Sequence, residues 1–370
     1  MSVGYTPPPF PYDRLDQYKT LAEEHDGGPV DLSIGTPCDP PPPAALRALA
    51  HSDAERGYPP SIGTPEFRGA AARWMERRLG VSVDPGAGVA ATIGTKEFVA
   101  GVPHWLHLRR PDLDTVLYPE ISYPSYAMGA ELAGLRSVPV ALDEAGRIRL
   151  DTISADDIGR ALCLWVNSPG NPAGNLDDLG AAAVWGRAND VLVLSDECYV
   201  EFTWRGERRT ILEHGTEGLV AVHSLSKRSN LAGTRAGFYA GDPEIVGFIR
   251  EIRKHAGFMV PGPVQAAATV ALDDDEHVEH QKDIYRQRLE LGARMLDKLG
   301  VSAEMPGGGF YLWARVGDAW AFTERMAAQA GVLVSPGEFY GLAGTDHVRI
   351  AMVQPDDRMA LAASRLGIEF

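Results

Sequence analysis

Three short apolar segments of the sequence each lead directly into polar side chains that are able to do chemistry. The segments are 162–166, 191–194 and 219–222, and the polar side chains that follow them are Asn167, Asn171, Asp196, Tyr199, Ser224, Ser226, Lys227 and Arg235. In an open α/β sheet, ligands bind at the carboxyl ends of the strands. If the three segments are neighbouring strands, one site receives an amine, a carboxylate, a phenol, amides, hydroxyls and a guanidinium.

This combination of groups matches what pyridoxal phosphate requires of a protein. The cofactor needs an amine for a Schiff base, an acid that keeps its ring nitrogen protonated, and hydrogen bonds to its phenolate oxygen. Lys227 and Asp196 meet the first two needs, and Asn171 with Tyr199 meets the third. Each side chain alone is more often a turn residue, a helix cap or a solvated charge, but the set together predicts a cofactor site.

The phosphate of such a cofactor needs backbone amides, hydroxyls and a guanidinium, because charge-assisted hydrogen bonds bind a dianion most strongly. The segment 94–97 follows the apolar run 90–93 and precedes a predicted helix, so its amides are able to point at a phosphate. We therefore expect the phosphate to be bound by Gly94, Thr95, Lys96, Ser224, Ser226 and Arg235.

The sequence contains six lysines, so an amine for a Schiff base has few candidates. Lys96 could take this role by position alone, but it lies at the predicted start of a helix, where we expect its side chain to be exposed. Lys227 follows an apolar segment and is the lysine that we favour.

The elements that position these residues are predicted from the alternation of short apolar runs with segments of helical character. Runs such as 115–118 and 161–166 are rich in Val and Leu, as is typical of buried strands. One helix is predicted to begin after Thr64, a capping residue followed by Pro65, and to end at Gly80. The pattern indicates an α/β fold with a mostly parallel sheet.

The composition divides the chain into three parts. Residues 1–44 are rich in proline and turn formers and are predicted to form an ordered arm. Residues 45–272 hold the alternating strands and helices of a large cofactor-binding domain. Residues 273–370 begin with an acidic turn and a charged helical segment, and then alternate strands with a helix. We expect them to form a smaller α+β domain on which the arm packs.

Composition and charge exclude several classes of protein. The 370 residues are 45% hydrophobic and 23% charged, as in folded globular domains. A formal net charge of -15 disfavours binding to nucleic acids and to anionic membranes. We expect no secretory signal, because the first residues show no basic region followed by an apolar run, and no apolar stretch is long enough to span a membrane. Its three cysteines form no CxxC pair, so we expect a reducing, cytoplasmic location.

Two further patterns do not predict a site. The stretch 86–91 fits G-x-G-x-x-A, but it leads into a strand-like run where a dinucleotide site needs a helix. The pairs His104 with His107 and His277 with His280 each lie one helical turn apart, as metal ligands do. Neither pair has a third ligand nearby, so no metal is expected.

Three longer segments resemble the motifs of a known family. They are NSPGNPAG at 167–174, DECY at 196–199 and SLSKRSNLAGTRAGF at 224–238. These motifs resemble those of the class I and II aminotransferases, which have fold type I and use pyridoxal phosphate. The resemblance covers nearly the whole chain. It implies a large domain with a mostly parallel seven-stranded sheet flanked by helices, and a smaller α+β domain.

The resemblance also implies roles for the residues that match the family motifs. Lys227 forms the Schiff base and moves the proton on the substrate Cα, while Asp196 pairs with the ring nitrogen. Asn171 and Tyr199 bind the ring oxygen, and Tyr123 stacks on the ring. Ser224 and Arg235 match phosphate ligands of the family.

For the substrate, the resemblance implies that Arg349 binds the α-carboxylate as a bidentate pair, a task for which lysine is less suited. The backbone of Gly35 and the side chain of Asn171 contact the same substrate. Tyr58 reaches the phosphate of a neighbouring subunit, which implies a homodimer with shared active sites.

Other segments narrow the resemblance to one group of these enzymes. The segments 10–15, 30–40, 223–233 and 253–267 are similar to those of succinyldiaminopimelate aminotransferases of lysine and diaminopimelate biosynthesis. This implies transamination between N-succinyl-LL-2,6-diaminopimelate and 2-oxoglutarate, giving N-succinyl-2-amino-6-ketopimelate and glutamate. The distal succinyl carboxylate then needs a second cation, for which Arg228, Arg253 and Lys254 are candidates.

Several alternatives stay open at this point. Another class I or II amino-acid aminotransferase and a carbon–sulfur lyase would use the same lysine. A regulatory module of the same fold would need an N-terminal helix-turn-helix, whereas this chain begins with a proline-rich arm. An inactive relative is disfavoured because every expected cofactor contact has a matching residue.

Overall fold

The computed structural model describes residues 5–369 of the protein, and it contains twelve strands in this range. The strands are β1 (Val30–Asp31), β2 (Val89–Thr92), β3 (Thr115–Pro119), β4 (Arg136–Val140), β5 (Ala161–Asn167), β6 (Leu192–Asp196), β7 (Leu219–Ser224), β8 (Gly237–Gly241), β9 (Tyr311–Arg315), β10 (Val332–Leu333), β11 (Ser335–Pro336) and β12 (His347–Ala351).

The same range contains thirteen α-helices and several short 3-10 turns. The helices are α1 (Asp16–Glu23), α2 (Pro43–Ala50), α3 (Pro65–Leu79), α4 (Thr95–Arg109), α5 (Ser125–Leu132), α6 (Ala155–Arg160), α7 (Leu179–Ala188), α8 (Leu225–Arg228), α9 (Pro243–His255), α10 (Gly262–Asp273), α11 (Glu276–Lys298), α12 (Ala319–Ala330) and α13 (Asp356–Arg365). The 3-10 turns are Pro11–Leu15, Leu150–Thr152, Val200–Phe202, Ile211–His214, Ala232–Thr234, Gly337–Tyr340 and Leu342–Gly344.

The largest sheet has seven strands in the order β2-β8-β7-β6-β5-β3-β4. Strands β3 to β7 pair in parallel, and β8 is antiparallel to both of its neighbours. Every residue of β5 is buried, because helices α3, α7 and α10 cover one face of the sheet and α4, α5 and α9 cover the other. This burial on both faces explains the continuous apolar run in the sequence. The prediction of a mostly parallel, helix-flanked sheet is confirmed.

A second hydrophobic cluster surrounds the three-stranded antiparallel sheet β11-β12-β9. Helices α11, α12 and α13 supply most of its apolar side chains. The N-terminal segment joins this part of the molecule, because β1 pairs in parallel with β10. The division of the chain at residues 44 and 272 stays a prediction.

Local signals fix the ends of the helices that flank the large sheet. The Thr64 hydroxyl accepts a hydrogen bond from the backbone N–H of Phe67 at the start of α3, and Gly80 ends that helix with a left-handed φ of 71°. Helix α11 holds the charged segment that the sequence predicts after the acidic turn, and it begins at Glu276. No helix within residues 5–369 has the length and apolar character needed to cross a membrane.

Candidate active site

A cavity of about 490 Å³ lies at the carboxyl ends of β5, β6 and β7. Its lining includes most of the residues that the sequence predicted: Gly35, Thr95, Lys96, Tyr123, Asn171, Asp196, Tyr199, Ser224, Ser226, Lys227, Arg235 and Arg349. Two predicted residues do not line it. Gly94 lies behind Arg235, and Tyr58 is 96% exposed on the surface. The volume suits a small-molecule cofactor together with a substrate.

Lys227 lies on α8, the four-residue helix that follows β7 directly. Ser224 caps this helix by accepting a hydrogen bond from the backbone N–H of Ser226, which holds the turn in place. The Lys227 ammonium donates to the Gly35 carbonyl at 2.6 Å, and burial lowers the pKa of Lys227 to about 8. An amine with this pKa is partly neutral near pH 7, so it is able to act as a nucleophile or a base.

Asp196 ends β6, and its carboxylate is buried at the floor of the cavity. One oxygen accepts a hydrogen bond from the Tyr126 hydroxyl at 2.9 Å, and the other accepts one from the backbone N–H of Cys198 at 3.2 Å. Burial raises the pKa of Asp196. A carboxylate in this setting is stabilised by any cation that approaches it, such as a protonated ring nitrogen.

Asn167 joins the ends of β5 and β6 and also holds Asn171 in place. The amide nitrogen of Asn167 donates to the Asp196 carbonyl at 2.8 Å, and its oxygen accepts from the backbone N–H of Asn171 at 2.8 Å. Asn171 is thereby fixed with its own side chain toward the cavity. Its side-chain oxygen accepts a hydrogen bond from Arg349 at 2.8 Å, so it connects the large sheet to β12.

Arg349 has a buried guanidinium with an unusual set of partners. It donates to the Ser33 carbonyl at 2.6 Å and to the Tyr12 hydroxyl at 3.3 Å. Its central carbon lies 4.3 Å from the centroid of the Tyr311 ring and 4.7 Å from that of Tyr340. Within residues 5–369 its hydrogen bonds go to an amide oxygen, a hydroxyl and a backbone carbonyl rather than to a carboxylate, and its Nε atom has no partner there. A buried, unpaired guanidinium that borders a cavity is suited to a substrate carboxylate.

The end of the cavity next to α4 has the donors that a phosphate needs. A Cβ atom built on Gly94, whose φ is +68°, would lie 2.1 Å from the Arg235 guanidinium, so glycine is required there. Arg235 itself is held by a hydrogen bond to the Ala232 carbonyl at 2.8 Å. Thr95 and Ser224 line the same end. The guanidinium, the hydroxyls and the first amides of a 15-residue helix together fit a phosphate dianion.

Glu97 fixes the start of α4 in this position. Its carboxylate accepts a hydrogen bond from the backbone N–H of Ile93 at 2.8 Å and forms an ion pair with Arg253 at 2.6 Å. Arg253 is 1% exposed, so this ion pair is shielded from water. The arrangement ties the phosphate end of the cavity to helix α9.

Aromatic side chains form the remaining walls. Tyr123 lines the cavity and meets Tyr126 edge to face, with 5.9 Å between the ring centroids. Burial raises the pKa of Tyr123 to about 12. The Tyr199 and Tyr311 hydroxyls lie 2.9 Å apart, and burial raises the pKa of Tyr199 well above its usual value. These phenols stay neutral at physiological pH and are able to donate hydrogen bonds.

The three cations expected to bind a distal carboxylate do not border this cavity, so that expectation is wrong for the site within one chain. Arg228 is buried, donates to the Ala271 carbonyl at 2.7 Å and lies 3.5 Å from Glu201. Arg253 is paired with Glu97, as described above. Lys254 is exposed and pairs with its neighbour Glu251. Two of the three are therefore used in buried contacts that hold helices together.

Sequence reasoning missed three tyrosines of the site. Tyr126 contacts Asp196, and Tyr12 and Tyr311 surround Arg349. Tyr126 lies at the start of α5, three residues after the predicted Tyr123, so its closeness in sequence to a predicted residue was a local signal. Tyr12 and Tyr311 have no such signal, because only the fold brings them to Arg349.

Comparison with known proteins agrees with this geometry. The family model described as "Aminotransferase class I and II" matches residues 28–366. The chain is 42% identical to 4-dedimethylamino-4-oxo-anhydrotetracycline transaminase OxyQ of Streptomyces rimosus, over 97% of this chain and 99% of that protein. It is 33% identical to LL-diaminopimelate aminotransferase of Aquifex aeolicus, over 97% of this chain and 96% of that protein.

A solved structure, the probable N-succinyldiaminopimelate aminotransferase of Thermus thermophilus, is 33% identical in sequence. It superimposes with a TM-score of 0.86 over 96% of this chain and 98% of that chain. The chain therefore belongs to the class I and II aminotransferases, a family that depends on pyridoxal phosphate.

Proposed function

We propose that the protein transfers an amino group between N-succinyl-LL-2,6-diaminopimelate and 2-oxoglutarate, in lysine and diaminopimelate biosynthesis. The observation that supports transamination is that the Lys227 amine, the Asp196 carboxylate and the unpaired Arg349 guanidinium border one cavity. An amine and a carboxylate receptor in one space suit an amino acid that reacts at its Cα. When bound, pyridoxal phosphate supplies an electron sink for that carbon.

In this proposal each side chain acts at a stated place. Lys227 holds the cofactor covalently and then, as a free amine, moves the proton at the substrate Cα. Its lowered pKa of about 8 supports the role of a base near neutral pH. The negative charge of the Asp196 carboxylate keeps the ring nitrogen of the cofactor protonated. Asn171 and Tyr199 donate hydrogen bonds to the ring oxygen, and Tyr123 packs on the ring.

Separate groups of residues bind the cofactor phosphate and the substrate α-carboxylate in this proposal. Thr95, Lys96, Ser224, Ser226 and Arg235 bind the phosphate, and Gly94 contributes by leaving room for the Arg235 guanidinium. Arg349, Asn171 and the backbone of Gly35 bind the substrate α-carboxylate. Arg349 is held by the Ser33 carbonyl and by Asn171, so its guanidinium is oriented before the substrate arrives. Such preorganisation lowers the entropy that substrate binding costs.

The choice of substrate rests on relatives. The Aquifex protein acts on LL-diaminopimelate by its name, and the Thermus structure is described as a probable N-succinyldiaminopimelate aminotransferase. The compounds in these two names share the long amino diacid skeleton of the substrate proposed here. OxyQ supports a second candidate, the amination of a polycyclic ketone, because the chain is 42% identical to it over nearly its whole length.

We further propose that the protein is a cytoplasmic homodimer in which Tyr58 reaches the phosphate of the partner subunit. Its 96% exposure in a single chain supports this, since a tyrosine is usually at least partly covered. Light scattering coupled to size exclusion tests the dimer. Mixing the Tyr58→Phe and Lys227→Ala variants then tests whether the subunits share active sites. In a mixed dimer, one site has both Lys227 and the partner's Tyr58 intact, so activity should return if Tyr58 acts across the interface.

The experiment that tests the function is a set of half-reactions with the purified, cofactor-loaded protein. N-succinyl-LL-2,6-diaminopimelate, LL-2,6-diaminopimelate and glutamate are added separately, and the visible band of the bound cofactor is followed, with Lys227→Ala as the control. Loss of the band with glutamate and the succinylated compound supports the proposal. Loss with glutamate alone contradicts the substrate. A carbon–sulfur lyase would instead release ammonia, a 2-oxo acid and a thiol from an added amino acid that has sulfur on its Cβ, such as cystathionine.

A further inference from the structure

Two phenols that line the active-site cavity share a single hydrogen bond. The Tyr199 and Tyr311 hydroxyls lie 2.9 Å apart, and both side chains are buried. Within residues 5–369 neither hydroxyl has another hydrogen-bond partner. Each neutral phenol has one proton to donate, so the pair has two protons and uses one of them in the shared bond. The other proton is left for a group in the cavity.

A glycine turn brings Tyr311, the first residue of β9, against the end of the large sheet. The backbone N–H of Gly309 donates to the Phe202 carbonyl at 2.8 Å. A Cβ atom built on Gly308 would lie 2.4 Å from the Pro169 side chain, so this close approach requires glycine. The backbone therefore holds the Tyr311 ring next to the segments that follow β5 and β6.

The packing around the two phenols keeps their hydroxyls together. A Cβ atom built on Gly35 would lie 2.0 Å from the Tyr311 hydroxyl, so the N-terminal segment packs directly on this group. The centroid of the Phe310 ring lies 5.3 Å from that of Tyr199 and 4.9 Å from that of Tyr311. With a backbone on one side and an apolar ring on the other, the Tyr311 hydroxyl is directed at Tyr199.

Arg349 makes the two phenols unequal. Its central carbon lies 4.3 Å from the centroid of the Tyr311 ring. Burial raises the pKa of both phenols, that of Tyr199 well above its usual value, and the Arg349 charge opposes the rise in the pKa of Tyr311. Because a more acidic hydroxyl is a better hydrogen-bond donor, this asymmetry favours Tyr311 as the donor and Tyr199 as the acceptor.

We propose that Tyr311 is a positioning residue that donates to the Tyr199 hydroxyl and so directs the Tyr199 proton toward the ring oxygen of the cofactor. This inference rests on the proposed function, which assigns the ring oxygen to Tyr199. A hydroxyl that accepts one hydrogen bond donates the next one more strongly, because neighbouring hydrogen bonds polarise one another. Tyr311 therefore strengthens the hydrogen bond from Tyr199 to the ring oxygen.

The test is a spectrophotometric pH titration of the visible band in the cofactor-loaded wild type, Tyr311→Phe and Tyr199→Phe. A hydrogen bond donated to the ring oxygen stabilises its negative charge and weakens its hold on the proton shared with the Lys227 nitrogen. Loss of the donor should therefore raise the pH at which the band changes. We expect a rise of about one to two units for Tyr199→Phe and of about 0.2 to 0.7 units for Tyr311→Phe.

Tyr285→Phe is the matched control, because it removes a hydroxyl from the same aromatic cluster. Tyr285 is buried, the centroid of its ring lies 4.9 Å from that of Phe310, and its hydroxyl donates to Asn230 at 3.4 Å. This variant should leave the titration of the band unchanged. The double variant Tyr199→Phe with Tyr311→Phe should titrate like Tyr199→Phe alone, since Tyr311 acts through Tyr199.

The outcomes separate this inference from the proposed function. A shift in Tyr199→Phe without one in Tyr311→Phe, or an equal shift in the Tyr285→Phe control, would overturn the inference and leave the role of Tyr199 standing. A Tyr199→Phe variant that titrates like the wild type would overturn both. If glutamate fails to discharge the band of the wild type while Tyr311→Phe shifts the titration as expected, the proposed function fails and the inference stands.

Discussion

The two ends of the active-site cavity are built in different ways. At the cofactor end, neighbouring strands of one sheet supply the groups, and the bond from Asn167 to the Asp196 carbonyl joins residues 29 apart in sequence. At the substrate end, Arg349 of the small sheet bonds to the Ser33 carbonyl, 316 residues away. The cofactor end is therefore built mainly from the ends of neighbouring strands, while the substrate end depends on how the N-terminal segment and the C-terminal part of the chain meet.

The largest effect is expected at the cofactor end from Asp196→Asn. The amide keeps the shape and the hydrogen bond from Tyr126, but it loses the negative charge that holds a proton on the cofactor ring. We expect kcat to fall by at least about a hundredfold, in the range of other lost electrostatic contributions to catalysis. Stopped-flow half-reactions with glutamate measure this. A fall of less than tenfold would mean that another group supplies the charge.

At the substrate end, Arg349→Ala should mainly weaken binding. Hydrogen bonds to a charged group are worth about 1.5–3 kcal/mol, so we expect KM for glutamate to rise about 10- to 150-fold, and more than kcat falls. Arg349→Lys should recover part of the loss, since lysine offers a point charge without the bidentate fork. An unchanged KM in the alanine variant would place the carboxylate elsewhere.

A smaller effect should follow from Tyr126→Phe, which removes only the hydroxyl that donates to Asp196. The carboxylate keeps the backbone N–H of Cys198, so we expect kcat to fall about two- to tenfold. The pH at which the cofactor band changes should shift as well. In the Asp196→Asn background the same substitution should have little further effect, because the two residues act as a unit.

The smallest effect is a change in stability at Glu197, the residue after Asp196. Its carboxyl is buried, one oxygen accepts from Ser195 and Ile211, and the other lies 3.5 Å from His223. Burial raises the pKa of Glu197 to about 7. The folded protein therefore keeps this proton up to about pH 7, whereas the unfolded chain loses it near pH 4.5. The protonated Glu197 side chain therefore adds to the free energy of unfolding of the wild-type protein. This contribution is fully present below pH 4.5 and is lost as the pH rises to about 7.

Glu197→Gln has no such proton to lose, so its melting temperature relative to wild type should increase between pH 4.5 and pH 8. The expected gain is up to about 3 kcal/mol, which corresponds to a few degrees. Glu207→Gln, at a side chain that is 81% exposed, is the control and should show no trend. A flat difference for Glu197→Gln would show that its carboxyl is ionised in the folded protein.

The contrast between the two ends also explains what could be predicted from sequence. Lys227, Asp196 and Asn171 follow apolar strands directly, so the rule for strand ends was enough to bring them together. The mostly parallel sheet followed from the same alternation of segments. Tyr12 and Tyr311 could not be predicted, since their contacts with Arg349 depend on packing between distant parts of the chain. Arg228 and Arg253 were only candidates for a distal carboxylate, and their buried contacts with Glu201 and Glu97 show that charge alone does not distinguish a ligand-binding residue from a structural one.

The central claim is that Lys227, rather than Lys96, holds the cofactor. Reduction of the cofactor-loaded protein with borohydride fixes the covalent link, and peptide mass mapping then locates it. We expect the added pyridoxyl group on the peptide that contains Lys227, and none on the peptide that contains Lys96. A modified Lys96 with an unmodified Lys227 would show that the amine at the end of β7 has no covalent role.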